Sequence, residues 1–139
     1  MEQAASEQLL FELVTPEKLA YSAPVAMVEI PGTLGDFGVL PGHAPFMSMI
    51  RPGVIRIHVG EAIEELFVEG GYAEVNGKSC TVLAEQQTPL SAFTAEQARD
   101  ALEKAKLDAE RAQNEAEKAK AERALEIAEA LVHATSSRA

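Results

Sequence analysis

The chain has 139 residues, 47% of them apolar, with 22 Asp/Glu against 12 Lys/Arg for a formal charge of −10. That length suits one compact domain with an appendage. The acidic balance has the wrong sign for a phosphate backbone or an anionic lipid surface, so neither nucleic acid nor lipid headgroups are expected partners.

The single cysteine, Cys80, excludes an internal disulfide framework and fits a reducing compartment. The N-terminal stretch Met1-Glu2-Gln3-Ala4-Ala5-Ser6-Glu7 has no basic start and no apolar run, so no secretory signal is expected. No segment reaches the roughly 20 apolar residues of a membrane span. Membrane association would therefore run through another protein, without direct insertion.

The first ninety residues read as short strands between turns. Residues 9–15 place Leu9, Phe11 and Leu13 on one face and close at Thr15-Pro16. Residues 25–30 are apolar and end at Pro31-Gly32. Residues 54–59 alternate, with Ile55, Ile57 and Val59 opposite Arg56 and His58, the pattern of a half-buried strand. Residues 63–69 follow Gly60-Glu61 and stop at Gly70-Gly71. Residues 72–75 and 79–84 flank Asn76-Gly77, which predicts a hairpin with a type I′ turn because both residues tolerate positive φ. Close, regular strands of this kind predict an antiparallel sandwich or barrel.

Beyond residue 90 there is no Gly or Pro and most apolar residues are Ala, so the expected division is a β domain at 1–90 and a helical tail at 91–139. Charge divides likewise, with −8 in residues 1–94 and −2 in residues 95–139. Thr94 predicts an N-cap, with Gln97 completing a capping box and Glu96 in the first turn. Ala98, Ala101/Leu102, Ala105, Ala109 and Ala112 form one apolar stripe; Ala121, Ala124/Leu125, Ala128 and Leu131/Val132 form another. Asp100–Lys104, Glu103–Lys106 and Asp108–Arg111 are expected ion pairs on the polar side. The two stripes fall out of phase near Gln113-Asn114, which predicts two helices folded as a hairpin. One long helix is the alternative. The fold class is thus α+β, an N-terminal antiparallel β-sandwich followed by a C-terminal α-helical hairpin. An Ala seam buries little area, so the tail is the expected moving part.

Catalytic parts are scarce. Asp36 and His43 could be read as an acid–base pair, but no nucleophile or third group accompanies them, and the Gly-rich stretch around them reads as a surface loop. Cys80 lies between Ser79 and Thr81 as a core thiol. His43, His58 and His133 lack metal-ligand spacing, and no Walker-type glycine loop is present. No cofactor or metal is implied.

The run Pro31-Gly32-Thr33-Leu34-Gly35-Asp36-Phe37-Gly38-Val39-Leu40-Pro41-Gly42-His43-Ala44-Pro45-Phe46 resembles the signature loop of the epsilon subunit of the F-type rotary ATP synthase, the counterpart of the mitochondrial delta subunit. Val14-Thr15-Pro16-Glu17-Lys18-Leu19-Ala20-Tyr21, Arg51-Pro52-Gly53-Val54-Ile55-Arg56-Ile57, Val68-Glu69-Gly70-Gly71-Tyr72-Ala73-Glu74-Val75 and Cys80-Thr81-Val82-Leu83-Ala84 resemble further motifs of that family in the right order.

The resemblance implies a β-sandwich with a helical hairpin and a non-catalytic central-stalk role. In that role the subunit clamps the gamma shaft to the ring of membrane rotor subunits, so that torque passes between proton flow and ATP synthesis. Leu34, Asp36, Phe37 and His43 occupy the ring-facing positions. The sandwich otherwise packs on gamma. From the residues themselves, Lys118, Lys120 and Arg123 either meet an acidic surface of the catalytic head, if the tail extends to inhibit hydrolysis, or pair with Glu115 and Glu117 on a solvated hairpin. The implied location is peripheral, on the cytoplasmic face of the inner (plasma) membrane, with an organellar membrane left open.

Some family members bind ATP through an Ile/Leu-Asp-x-x-Arg-Ala motif at the start of the tail, and a nucleotide-sensing module that opens at low ATP is the alternative function. Here Arg99 matches, Glu96 replaces the Asp, and Ala95 and Asp100 replace the flanking apolar residues. Glu96 and Arg99 are where a weak nucleotide contact would form, and the extra carboxylate disfavours a triphosphate.

Overall fold

Alternating apolar residues build the N-terminal part strand by strand. The computed structural model describes residues 7–137, so the signal-peptide reading of residues 1–6 lies outside the described part. Ten strands form: β1 (Leu9–Val14), β2 (Leu19–Val25), β3 (Met27–Gly32), β4 (Gly35–Val39), β5 (Phe46–Ile50), β6 (Gly53–Val59), β7 (Ala62–Val68), β8 (Gly71–Val75), β9 (Ser79–Ala84) and β10 (Gln87–Pro89). Their order is β10-β7-β6-β3-β5-β8-β9-β1-β2, with β4 laid against β3. A core runs through the folded sheet, where Leu9, Phe11, Val28, Ile55, Ile57 and Val82 are fully enclosed.

The described strand pairings are antiparallel except that of β1 with β9, which is parallel. These two strands come from opposite ends of the domain, so no tight turn dictates their direction. Gly71 begins β8 with φ +141, and a Cβ there would lie 1.9 Å from the Leu83 carbonyl oxygen. The Gly70-Gly71 pair is therefore needed for close backbone approach as well as for ending β7.

The Asn76-Gly77 turn differs from the expected type I′. Neither residue has positive φ. The Asn76 side-chain oxygen instead accepts the backbone N–H groups of Lys78 and Ser79, both at 2.9 Å. This Asx-turn reaches the same hairpin by a different local hydrogen bond. Residues 35–45 are also more regular than a loop: Gly35–Val39 is a strand, held by its ladder to β3.

The chain divides into two units, Met1–Thr88 and Pro89–Ala139. The division falls slightly before residue 90, within the short strand β10. In the second unit a 3₁₀ turn (Leu90–Ala92) precedes α1 (Ala95–Arg111) and α2 (Glu115–Ser136). Thr94 and Gln97 form the capping box in both directions, at 3.0 and 2.9 Å. Asn114 caps α2 by accepting the Glu117 N–H at 2.8 Å, and the Glu117 carboxylate accepts the Gln113 N–H at 2.9 Å. With the chain extended at Ala112 and the next helix capped by Asn114, the hairpin needs no Gly or Pro to turn.

Ala98, Ala105, Ala121, Ala128 and Leu131 are buried, as the stripes require. Ala101 and Ala124 face solvent, leaving Leu102 and Leu125 as the inward members of their pairs. Lys104 pairs forward with Asp108 at 2.8 Å, where the sequence suggested Asp100.

Candidate functional site: the β3–β4 loop end

The loop that carries most of the expected site residues begins where β3 and β4 meet. Gly32 pairs with Gly35, so Thr33 and Leu34 form the tip between them. A Cβ on Gly32 would lie 2.7 Å from the Gly35 oxygen and 3.0 Å from the Phe37 ring, which is why a side chain is not tolerated there. The tip is tied to β5 by the Thr33 N–H, which donates to the Met49 carbonyl at 3.0 Å. Leu34 itself is 100% exposed.

Asp36 lies on the following leg, and its Oδ1 is 2.6 Å from Arg51 Nη2. Arg51 Nη1 also donates to the Gly32 carbonyl, and the Arg51 backbone N–H to Pro31 at 2.9 Å. Phe37 meets Phe46 edge-on, with ring centroids 5.1 Å apart. The His43 ring lies 6.2 Å from Phe46. Its Nδ1 is 2.7 Å from the Ala44 carbonyl, which assigns the proton to Nδ1. The Pro41-Gly42 turn is moored by the Gly42 N–H to the Gly77 carbonyl at 2.8 Å.

Phe37 and His43 thus converge on Phe46, whereas Asp36 is committed to Arg51. An acid–base dyad of Asp36 and His43 finds no support in these partners. Among the described residues no cluster of three His, Cys, Asp or Glu side chains could hold a metal ion. Cys80 is enclosed in the core, where burial pushes its thiol up to about 12. Burial, helped by the Glu64 carboxylate, likewise raises the Tyr21 hydroxyl.

Two features escaped the sequence reading. One is Arg51, placed only as part of a strand motif. The other is an apolar outer surface on β5, where Met47 and Met49 are 63% and 62% exposed. Tyr72 on β8 pairs directly with Met49. The alternation in Phe46-Met47-Ser48-Met49-Ile50 was the available signal.

On the tail, Lys118, Lys120 and Arg123 are exposed along α2, and Glu96 and Arg99 are exposed at the start of α1. An open gap at the closed end of the hairpin is lined by Lys104, Arg111 and Lys120 together with Asp108 and Glu117.

The chain is an α+β protein, a β-sandwich followed by a helical hairpin. Residues 8–89 match the family described as ATP synthase, Delta/Epsilon chain, beta-sandwich domain. The chain is 48% identical over 130 residues to the ATP synthase epsilon chain of Rhodospirillum rubrum, covering 93% of this chain and 97% of that one. It is also 48% identical over 111 residues to the epsilon chain of Paramagnetospirillum magneticum, covering 74% and 84%. A chain in the cryo-EM structure of the Euglena gracilis mitochondrial ATP synthase (OSCP/F1/c-ring) superposes with a TM-score of 0.79 at 28% identity, over 89% of this chain and 79% of that one. A chain of the Tetrahymena thermophila mitochondrial central stalk/c-ring structure shares the fold, with a TM-score of 0.65 at 17% identity, over 93% and 97%.

The chain belongs to the delta/epsilon family of the F-type ATP synthase, as an epsilon-type subunit similar in structure to those of the central stalk. Among its described residues no helix is long and apolar enough to cross a membrane.

Proposed function

We propose that this subunit couples the membrane rotor ring to the gamma shaft, with Leu34, Asp36, Phe37 and His43 at the ring-facing end. The observation that carries this reading is Leu34, an apolar side chain wholly in water at the tip of a hairpin otherwise fixed by hydrogen bonds. A lone exposed Leu is ordinary on a protein surface. Here it projects from a tethered tip whose second leg carries Phe37. Exposed apolar surface of this kind marks a docking site. The outer face of Met47, Met49 and Tyr72 is the proposed seat of gamma.

The subunit contributes no active site of its own to the synthase and works on the cytoplasmic face of the plasma membrane. Its tail serves as a brake on ATP hydrolysis, with Lys118, Lys120 and Arg123 reaching an acidic surface of the catalytic head when the hairpin opens. The closed hairpin buries Ala98, Ala105, Ala121 and Ala128, which supports the closed form as the resting one.

Reconstitution of shaft, ring and catalytic head in vesicles tests both roles together. A chain ending at Leu90 keeps all ten strands, so it should sustain ATP-driven proton pumping. Its hydrolysis rate should exceed that of the full chain. Loss of pumping by a folded truncated chain would sink the division of labour, and an unchanged hydrolysis rate would leave the tail without a braking role.

A further inference from the structure

We propose that Arg51 is the positioning residue of the ring-facing loop, lacing the two legs of the β3–β4 hairpin so that Leu34 is presented in one fixed attitude. The same pairing compensates the Asp36 charge, so the loop end presents no free carboxylate to the ring. This rests on the coupling role proposed above.

The geometry is specific. Arg51 follows β5 and reaches both legs of a hairpin to which it does not belong. Its backbone N–H and Nη1 hold the Pro31 and Gly32 carbonyls on the first leg, and its Nη2 holds the Asp36 carboxylate on the second. The hairpin needs such an outside brace. Its last cross-strand pair is Gly32 with Gly35, which has no side chains to stiffen the tip. The brace is itself fixed at its root, since the residue before a proline is confined to extended backbone and Pro52 is buried. A planar fork that gives one donor to a carbonyl and another to a carboxylate is particular to arginine; a lysine ammonium cannot span both in one geometry.

The plainer reading is an ordinary surface ion pair. With 42% of the Arg51 side chain and 73% of the Asp36 side chain exposed, such a pair contributes little to folding. That weakness separates the two readings, because a brace that barely affects stability should still govern docking.

The test uses the full chain against two probes from the same cells, the detergent-purified rotor ring and the purified gamma shaft subunit. Arg51→Gln should weaken binding to the ring about tenfold while leaving shaft affinity and melting temperature close to wild type, since orientation at a contact matters more to docking than to folding. Arg51→Lys should fall between the two. Asp36→Asn, which keeps an acceptor oxygen for the fork but leaves the Arg51 charge uncompensated, should lose less ring affinity than Arg51→Gln. Raising the salt from about 50 to about 300 mM should change ring affinity by no more than about twofold, as screening acts on unpaired charge.

Unchanged ring affinity in Arg51→Gln would reduce the contact to a surface ion pair. Equal losses for ring and shaft would make Arg51 a general structural residue, and a large loss in Asp36→Asn with strong salt dependence would make Asp36 a direct ionic contact. Each of these overturns the proposal. Failure of the wild-type chain to bind the ring at all would instead remove the coupling role beneath it.

Discussion

Leu34→Ala offers the cleanest separation of docking from folding in this molecule. Leu34 is fully exposed in the isolated chain, and its backbone neighbours are held by bonds that a side-chain truncation leaves in place. Removing a leucine side chain from water contributes roughly 1.5–3 kcal/mol. If the ring covers Leu34, truncation to Ala should cost about 2 kcal/mol of docking energy, or roughly 30-fold in affinity at 1.4 kcal/mol per decade. Folding stability should change by less than about 0.5 kcal/mol, a shift of roughly 3 °C or less in melting temperature for a domain of this size. Affinity for the purified ring, measured beside thermal melting, reads both numbers. Phe37→Ala is the contrast, since its edge-on contact with Phe46 lies within the domain and its loss should reduce affinity and melting temperature together. Ring affinity within about twofold of wild type in Leu34→Ala would show that the tip is not covered, and the ring-facing assignment would go with it.

Two other expectations are independent of docking. The buried thiol of Cys80 ionises near 12 in the folded chain against 9.0 for an ordinary thiol, so the folded state binds the extra proton in that window. Stability is therefore fully retained below about pH 9 and lost as pH rises toward 12, by about 1 kcal/mol for each pH unit above 9; denaturant melts should show this slope in wild type and not in Cys80→Ala, and equal slopes would refute it. MgATP should bind the full chain weakly or not at all in calorimetry, because Asp100 puts an extra carboxylate beside Arg99; micromolar affinity abolished by Arg99→Ala would restore the nucleotide-sensing alternative.

The fold was legible where local pattern and tertiary demand agreed. Residues 54–59 and 79–84 alternate as strands and are strands, and the phase slip at Gln113-Asn114 coincides with the capped turn between α1 and α2. Legibility failed where pairing overrode local preference. β4 contains Gly35, Asp36 and Gly38, residues that disfavour strands, and owes its form to the ladder with β3. β2 contains Pro24, which is acceptable because β2 is an edge strand whose partner is β1. At Asn76-Gly77 the hairpin was foreseen but its turn type was not. The Asn side chain can replace the backbone geometry that a positive φ would have supplied, and composition cannot tell those solutions apart.

The loop end divides along the same line. Leu34, Asp36, Phe37 and His43 stand close together in a motif rich in glycine and proline, so a linear reading reaches them. Arg51 lies 15 residues from Asp36 and 19 from Gly32 along the chain, and its role exists only after β5 has been laid beside the β3–β4 tip. Glycines at 32 and 35 let the backbone turn tightly but leave the tip without side-chain support. That deficit is created by the local motif and made good from outside it. A sequence reading that stops at the motif therefore sees Asp36 as a free charge facing a partner. With the brace included, the carboxylate becomes an internal anchor, and under the proposed coupling role the group left to meet the ring is the apolar one.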